Sequence, residues 1–327
     1  MAEGARRRGV LPALVGIGAL FAVTALSINA LIDGDLPFLG GPEGCTATVD
    51  GRSVELSLEQ AENASLIAAI SVQRGLPARA ASIALATAYQ ESDLHNIDYG
   101  DRDSLGLFQQ RPSQGWGSRA QILDPVYATN AFYDALVGID GYRDLEITVA
   151  AQTVQRSGYP DAYADHEGDA RVLASALTGQ SRASFACRID GDAERSSAEL
   201  NARGLTERAD VVRADVRTVF GDIQMGGFEP GGVSSGHMEG SAHYDGRAID
   251  LFFRPVNEAN KTRGWALAQY LVAHAARLQV HTVIFDDRIW VAGKDDSWRD
   301  YRAPTNADPR TQAILEHRDH VHVDVFE

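Results

Sequence analysis

Residues 10–32 are apolar almost without interruption, broken only by small or weakly polar side chains such as Ser27 and Asn29. About 20 such residues cross a bilayer, and Arg6-Arg-Arg8 ahead of them belong on the cytoplasmic side. The pattern predicts a cytoplasmic tail over 1–9 and a single-pass signal anchor over 10–32, with everything beyond exported. A signal peptide cleaved near Ala30 is the alternative; the length of the run favours the anchor. Residues 33–44, rich in Gly, Pro and acid, read as a spacer.

Apolar positions then recur at helical spacing over residues 58–74 and 77–91, with Pro77 suited to a first helical turn. Residues 96–111 break that period with Asn, Asp, Gly and Pro, as a hairpin or ordered loop would. Helical patterns return over 125–136, 147–156 and 169–177, and a polar linker is expected over 188–200. Residues 205–220 and 264–278 read as amphipathic helices, and 282–291 as a buried strand or strand pair. Alternation puts Ala248, Asp250 and Phe252 on one face of a strand. It does the same for His320, His322 and Asp324, with valines on the opposite face. The expected fold is multi-domain: an anchor, a mainly α domain over 45–187, and an α+β domain over 201–327 with a small antiparallel sheet.

At 327 residues the chain is long enough for two cores. A net charge of −15 argues against nucleic acid as a partner. Cys45 and Cys187 are the only cysteines and bracket the first expected domain. In an oxidising compartment such a pair reads as a disulfide.

The chemistry concentrates in Ser241-Ala-His-Tyr-Asp-Gly-Arg-Ala-Ile-Asp250 and in His320-Val-His322. Catalytic zinc takes three N or O protein ligands and keeps one position open. His243, Asp250 and His322 supply that set, with Asp250 and His322 on neighbouring strands and His243 reaching in from a turn eased by Gly246. Ser-x-His-x-x-Gly-x-Ala-x-Asp followed by His-x-His resembles the zinc peptidases that include D-alanyl-D-alanine peptidases and hedgehog-type domains. The resemblance covers roughly the last third of the chain. It implies His243, Asp250 and His322 as zinc ligands and His320 as base or transition-state stabiliser beside the activated water.

A second group of residues lies in Ala84-Leu-Ala-Thr-Ala-Tyr-Gln-Glu-Ser92 and Ser104-Leu-Gly-Leu-Phe-Gln-Gln110. Glu-Ser closing a helix, then Gly-Leu-x-Gln, is similar to soluble lytic transglycosylases and goose-type lysozymes, and most similar to wall-associated proteins of actinobacteria. The resemblance implies a lysozyme-like domain that cuts the glycan strand of peptidoglycan, with Glu91 as general acid; Ser92 and Gln109 are placed to hold substrate or a neighbouring backbone group. The Ala-Tyr-Asn-Ala-Gly element of transglycosylases is missing; Ala151-Gln-Thr-Val-Gln-Arg-Ser157 stands in its place. A general acid must stay protonated near neutral pH. A helix C-terminus disfavours the carboxylate, and Tyr89, Leu94 and Phe108 are placed to desolvate it. Asp98, Asp101 and Asp103 are candidates for a second carboxylate.

Arg247 and Arg288 are candidates to hold a substrate carboxylate, and Asp324 to orient a histidine. His237 is an exposed loop residue or an alternative ligand, and Trp290 and Trp298 line a groove or pack the core. His274 and His281 receive no chemistry. The expectation is a membrane-anchored, wall-facing peptidoglycan hydrolase with a zinc cofactor; its rival is a wall-binding or signalling protein whose zinc is not catalytic.

Overall fold

The structure, a computed structural model, describes residues 42–327, and its first element is a strand beginning at Gly44. The expected tail and anchor, and the spacer as far as residue 41, lie outside the described residues. Among the described residues no helix is long and apolar enough to cross a membrane.

Strands β1 (Gly44–Val49) and β2 (Arg52–Leu56) form a hairpin, Val49 pairing with Arg52 across Asp50-Gly51. Both turn residues have positive φ, which Asp tolerates and Gly adopts freely. Ser57 then starts α1 (Leu58–Gln73) with a capping box to Gln60. Next come α2 (Ala78–Ser92), α3 (Pro125–Val137), α4 (Ile147–Gln155) and α5 (Glu167–Leu177). Helix α2 is the hub, buried along Ala80–Ala88 and packed against α1, α4 and α5. Its alanines let neighbouring backbones approach closely. Pro77 is the N-cap of α2 and lies just outside its first turn. The strand β3 (Phe185–Arg188) returns to pair with β1, so this mainly helical half also holds a three-stranded antiparallel sheet, order β2-β1-β3. In that pairing Cys45 faces Cys187, and the two form the expected disulfide.

The segment between β3 and α6 (Glu207–Phe220) carries no helix or strand. After it come β4 (Met225–Gly226), β5 (Ala248–Phe252), α7 (Glu258–Ala273), α8 (Ala275–Leu278), β6 (Val280–Phe285), β7 (Arg288–Val291) and β8 (Arg299–Asp300). Helix α9 (Pro309–Leu315) and β9 (His320–Val325) complete the chain. The six strands form one antiparallel sheet, order β4-β5-β9-β6-β7-β8. The fold is thus mixed helix and antiparallel sheet.

Residues Glu43–Glu327 cluster as one compact unit, and buried apolar side chains run continuously through both halves. Helix α7 is the seam, touching α1, α5 and β3 on one side and β6 and β9 on the other. From it the buried Gln269 accepts hydrogen bonds from the Ser184 and Phe185 amides and donates to the Ala176 carbonyl. Trp290 and Trp298 are buried and line no groove. Their indole N–H groups donate to the carbonyls of Cys187 and Phe185, so each ring packs while its polar atom is satisfied.

Candidate metal centre

Strands β5 and β9 set the spacing of the centre. Asp250 lies directly opposite His322, Phe252 opposite His320 and Ala248 opposite Asp324. A two-residue period therefore delivers Asp250, His320, His322 and Asp324 to one face. His243 arrives from a one-turn 3-10 helix, Ala242–Asp245, which Gly246 closes with φ 66°. Its Nε2 lies 3.1 Å from His322 Nδ1 and 3.2 Å from Asp250 Oδ1, and the last two are 3.2 Å apart.

Hydrogen bonds behind the cluster fix the tautomers. A carbonyl oxygen can only accept, so His243 Nδ1–H donates to Gly227 O at 2.8 Å and leaves its Nε2 lone pair facing inward. His322 Nε2 faces the Asp324 carboxylate at 3.4 Å, which leaves Nδ1 for the centre. Asp324 also accepts from His281 Nδ1 at 3.1 Å, a role the sequence reading did not give His281. Three electron-pair donors facing one another at this range repel unless a proton or cation lies between them. When protons fill that gap, burial pushes the Asp250 carboxyl upward, yet N–H hydrogen bonds from the His243 and His322 imidazoles outweigh it and hold the group well below the usual carboxylate range. Burial pulls His322 down; its bonds to Asp250 and Asp324 win and raise it to about 9. A tetrahedral ion with 2.0–2.1 Å bonds has ligand atoms about 3.3 Å apart, so the two imidazoles and the carboxylate fit one.

His237 also belongs to the group. His237, His243 and Asp250 each offer a ligand atom within 4.8 Å of the others, and the His237 ring stacks on His243 with centroids 3.9 Å apart. Its backbone is pinned on both sides by the Tyr244 hydroxyl, so it is an ordered neighbour of the centre. These histidines and the aspartate can hold a metal ion.

His320 projects Nε2 to 3.6 Å from Asp250 Oδ1, while its Nδ1–H donates to Asp319 at 2.7 Å. His317 was not anticipated. Burial, reinforced by the charges of His322 and His320, lowers it to about 3. It donates from Nδ1 to the Leu315 carbonyl, with its ring 4.7 Å from that of His320. The available signal was its place in His317-Arg-Asp-His-Val-His322. The centre lies in a cleft of about 920 Å³ whose rim includes Arg247, Arg254 and Tyr301. Arg247 is engaged with the Val325 carbonyl and Asp245. Arg288 is on β7, paired with Asp300, and is not part of the cleft lining.

Glu91, in the last turn of α2, is partly buried and accepts a 2.6 Å hydrogen bond from the buried Tyr163 hydroxyl. Burial raises its pKa, against the opposing hydrogen bonds of Tyr163 and Gln155. Leu94 and Phe108 are fully buried, and Tyr89 is half-buried. Ser92 is occupied within the protein, its hydroxyl donating to the Ala88 and Leu107 carbonyls. Gln109 donates to the Tyr99 and Gly106 carbonyls, so Ser92 clasps the 96–111 loop to the helix and Gln109 ties the loop to itself. Asp103 is committed to Arg111 and Ser113, whose hydrogen bonds hold its carboxyl far below the ordinary range. Asp98 and Asp101 are exposed. Tyr163 is the partner of Glu91 that sequence reasoning missed, 72 residues away.

Over residues 201–312 the chain matches the family model for the VldE C-terminal domain. The matched segment takes in His237, His243 and Asp250 and ends before His320 and His322. It lies in the part of the chain that carries the peptidase resemblance and does not reach the Glu91 half. A search of curated proteins finds no match.

Proposed function

We propose that this chain is an exported peptidoglycan hydrolase, a zinc-dependent peptidase in its second half and a glycan-cleaving, lytic transglycosylase-like enzyme in its first. The observation that carries the peptidase reading is the convergence of His243 Nε2, Asp250 Oδ1 and His322 Nδ1, with a non-ligating His320 beside them in an open cleft. A set of two nitrogens and one oxygen suits zinc. When bound, zinc lowers the pKa of a water molecule and polarises the scissile carbonyl. His320, steadied by Asp319, moves a proton from its Nε2 or donates to the developing oxyanion. His317 closes the inner wall as a neutral group.

The glycan reading is supported by Glu91, a helix-end carboxyl whose pKa is raised by burial and whose position is set by Tyr163. In this reading residues 45–187 carry the glycan step and 201–327 the peptide step. Residues 10–32 tether both to the membrane on the wall side.

One observation favours a second reading, a wall-binding protein with non-catalytic zinc. His237 is close enough to fill the fourth position and close the site. The test is mass spectrometry of products after purified peptidoglycan is incubated with residues 33–327 and zinc, with and without chelator. Chelator-sensitive cleavage of cross-links, together with anhydro-muropeptides, is expected. A protein that pellets with the wall and releases neither product with any divalent metal belongs to the second reading.

A further inference from the structure

Three arginines border the cleft: Arg195, Arg247 and Arg254. They differ in how their guanidinium groups are committed. Arg247 spends Nη1 on the Val325 carbonyl and Nη2 on Asp245. Arg195 is held by no hydrogen bond among the described residues, so a ligand would have to order the whole side chain. Arg254 is different from both. Its Nε donates to Asp319 Oδ2 at 2.6 Å, and its guanidinium carbon lies 4.0 Å over the Phe252 ring. Neither Nη1 nor Nη2 makes a hydrogen bond among the described residues, and the side chain is 46% exposed. The group is oriented in advance on one edge and open on the other.

We infer that Arg254 is the residue that recognises a carboxylate on the peptide substrate, gripping it through Nη1 and Nη2. A planar fork of two N–H donors matches a carboxylate bidentately, and an Arg whose rotamer is already fixed loses little entropy in doing so. The placement suits a carboxylate close to the scissile bond. Phe252, under the guanidinium, is two residues along β5 from Asp250, about 7 Å of strand. A carboxylate held there lies one to two residues beyond a carbonyl at the Asp250 end. The fork is also linked to the chemistry, because Asp319 bridges Arg254 Nε and His320 Nδ1. Arg254 thereby positions His320 through Asp319. The cleft would then prefer a peptide with a free C-terminal carboxylate over the same peptide capped as an amide.

This inference rests on the peptidase reading of the same cleft, and the experiment separates the two. Full-length protein loaded with zinc is given acetyl-D-alanyl-D-alanine and its C-terminal amide. Affinity is read as Kd if the peptide is not cut and as KM if it is. Wild type is expected to prefer the free carboxylate by about tenfold or more. Arg254→Gln should weaken the free acid far more than the amide and so erase that preference, and Arg254→Lys should keep part of it. A wild type that shows the preference without cutting either peptide supports the Arg254 assignment and removes the peptidase reading. Absence of any preference in wild type, or a preference that survives Arg254→Gln, overturns the assignment. Equal weakening of both peptides in the Gln and Lys variants also overturns it, leaving Arg254 only as a support for Asp319.

Discussion

Gly227 tests the metal centre without touching a ligand. Its carbonyl orients His243, and its φ of +78° is one that side-chain-bearing residues rarely adopt. A Cβ built there would lie 2.6 Å from His243 Nδ1, nearer still to Cε1, and 3.1 Å from Asp250 Oδ2. To restore ordinary contact the imidazole must retreat by about 1 Å, several times the roughly 0.2 Å that a metal–ligand distance tolerates. Gly227→Ala should therefore weaken zinc binding by at least about 100-fold, the upper end of what losing an orienting partner costs. The left-handed backbone adds about 1–2 kcal/mol of destabilisation. Gly231→Ala is the matched control, with φ +89° and nothing within 4 Å of the added carbon. It should show the strain and no loss of zinc. Zinc affinity would be measured by competition with a chromophoric chelator, and stability by thermal melts in EDTA. Wild-type zinc affinity in Gly227→Ala would refute the assignment of His243 as a ligand oriented from behind.

Tyr163→Phe removes a hydrogen bond that favours the Glu91 carboxylate, so the pKa of Glu91 should rise further. A general acid works below its pKa, so the alkaline limb of glycan cleavage should move to higher pH in a pH–rate profile, and Glu91→Gln should abolish the release. Gln269→Leu leaves two amides and a carbonyl at the seam without their partner. It should cost about 3 kcal/mol, read as a lower urea midpoint for the whole described unit. Paired Cys45→Ala and Cys187→Ala substitutions open a cross-link spanning 142 residues. They should lower stability by roughly 3–5 kcal/mol in the chain-entropy model, with a fall in Tm that reducing agent reproduces in wild type.

The metal face was legible because strand alternation is a local rule. Asp250 and His322 could be placed on facing sides of neighbouring strands from their neighbours alone, and they pair directly. Most of the long helices were legible for the same reason, with ends within two residues of the expected positions. The one expected over 264–278 instead runs Glu258–Ala273 and breaks at His274 before Ala275–Leu278; it is buried all round from Gly264 to Ala273 because both halves pack on it. What was not legible depends on contacts distant in sequence. Tyr163 reaches Glu91 across 72 residues, and Trp290 reaches the Cys187 carbonyl across 103. The state of the arginines was not legible either: whether a guanidinium is engaged depends on neighbours, and in the structure Arg247 lines the cleft while bonded to Val325 and Asp245, and Arg288 pairs with Asp300 away from it. The hairpin before α1 was readable, since Asp50-Gly51 between alternating residues is a turn signal.

The strand that closes the disulfide is also the edge on which Trp290 and Trp298 dock, so Cys187 fastens two things at once. Splitting the chain between residues 188 and 200 would strip both indoles of their acceptors and bare the apolar flank of α7 to water. Fragments cut there should stick to one another or to vessel walls, and their behaviour would say little about the intact unit. The same join makes Glu43–Glu327 one compact unit, so the half that holds Glu91 and the half that holds His243, Asp250 and His322 share one buried core.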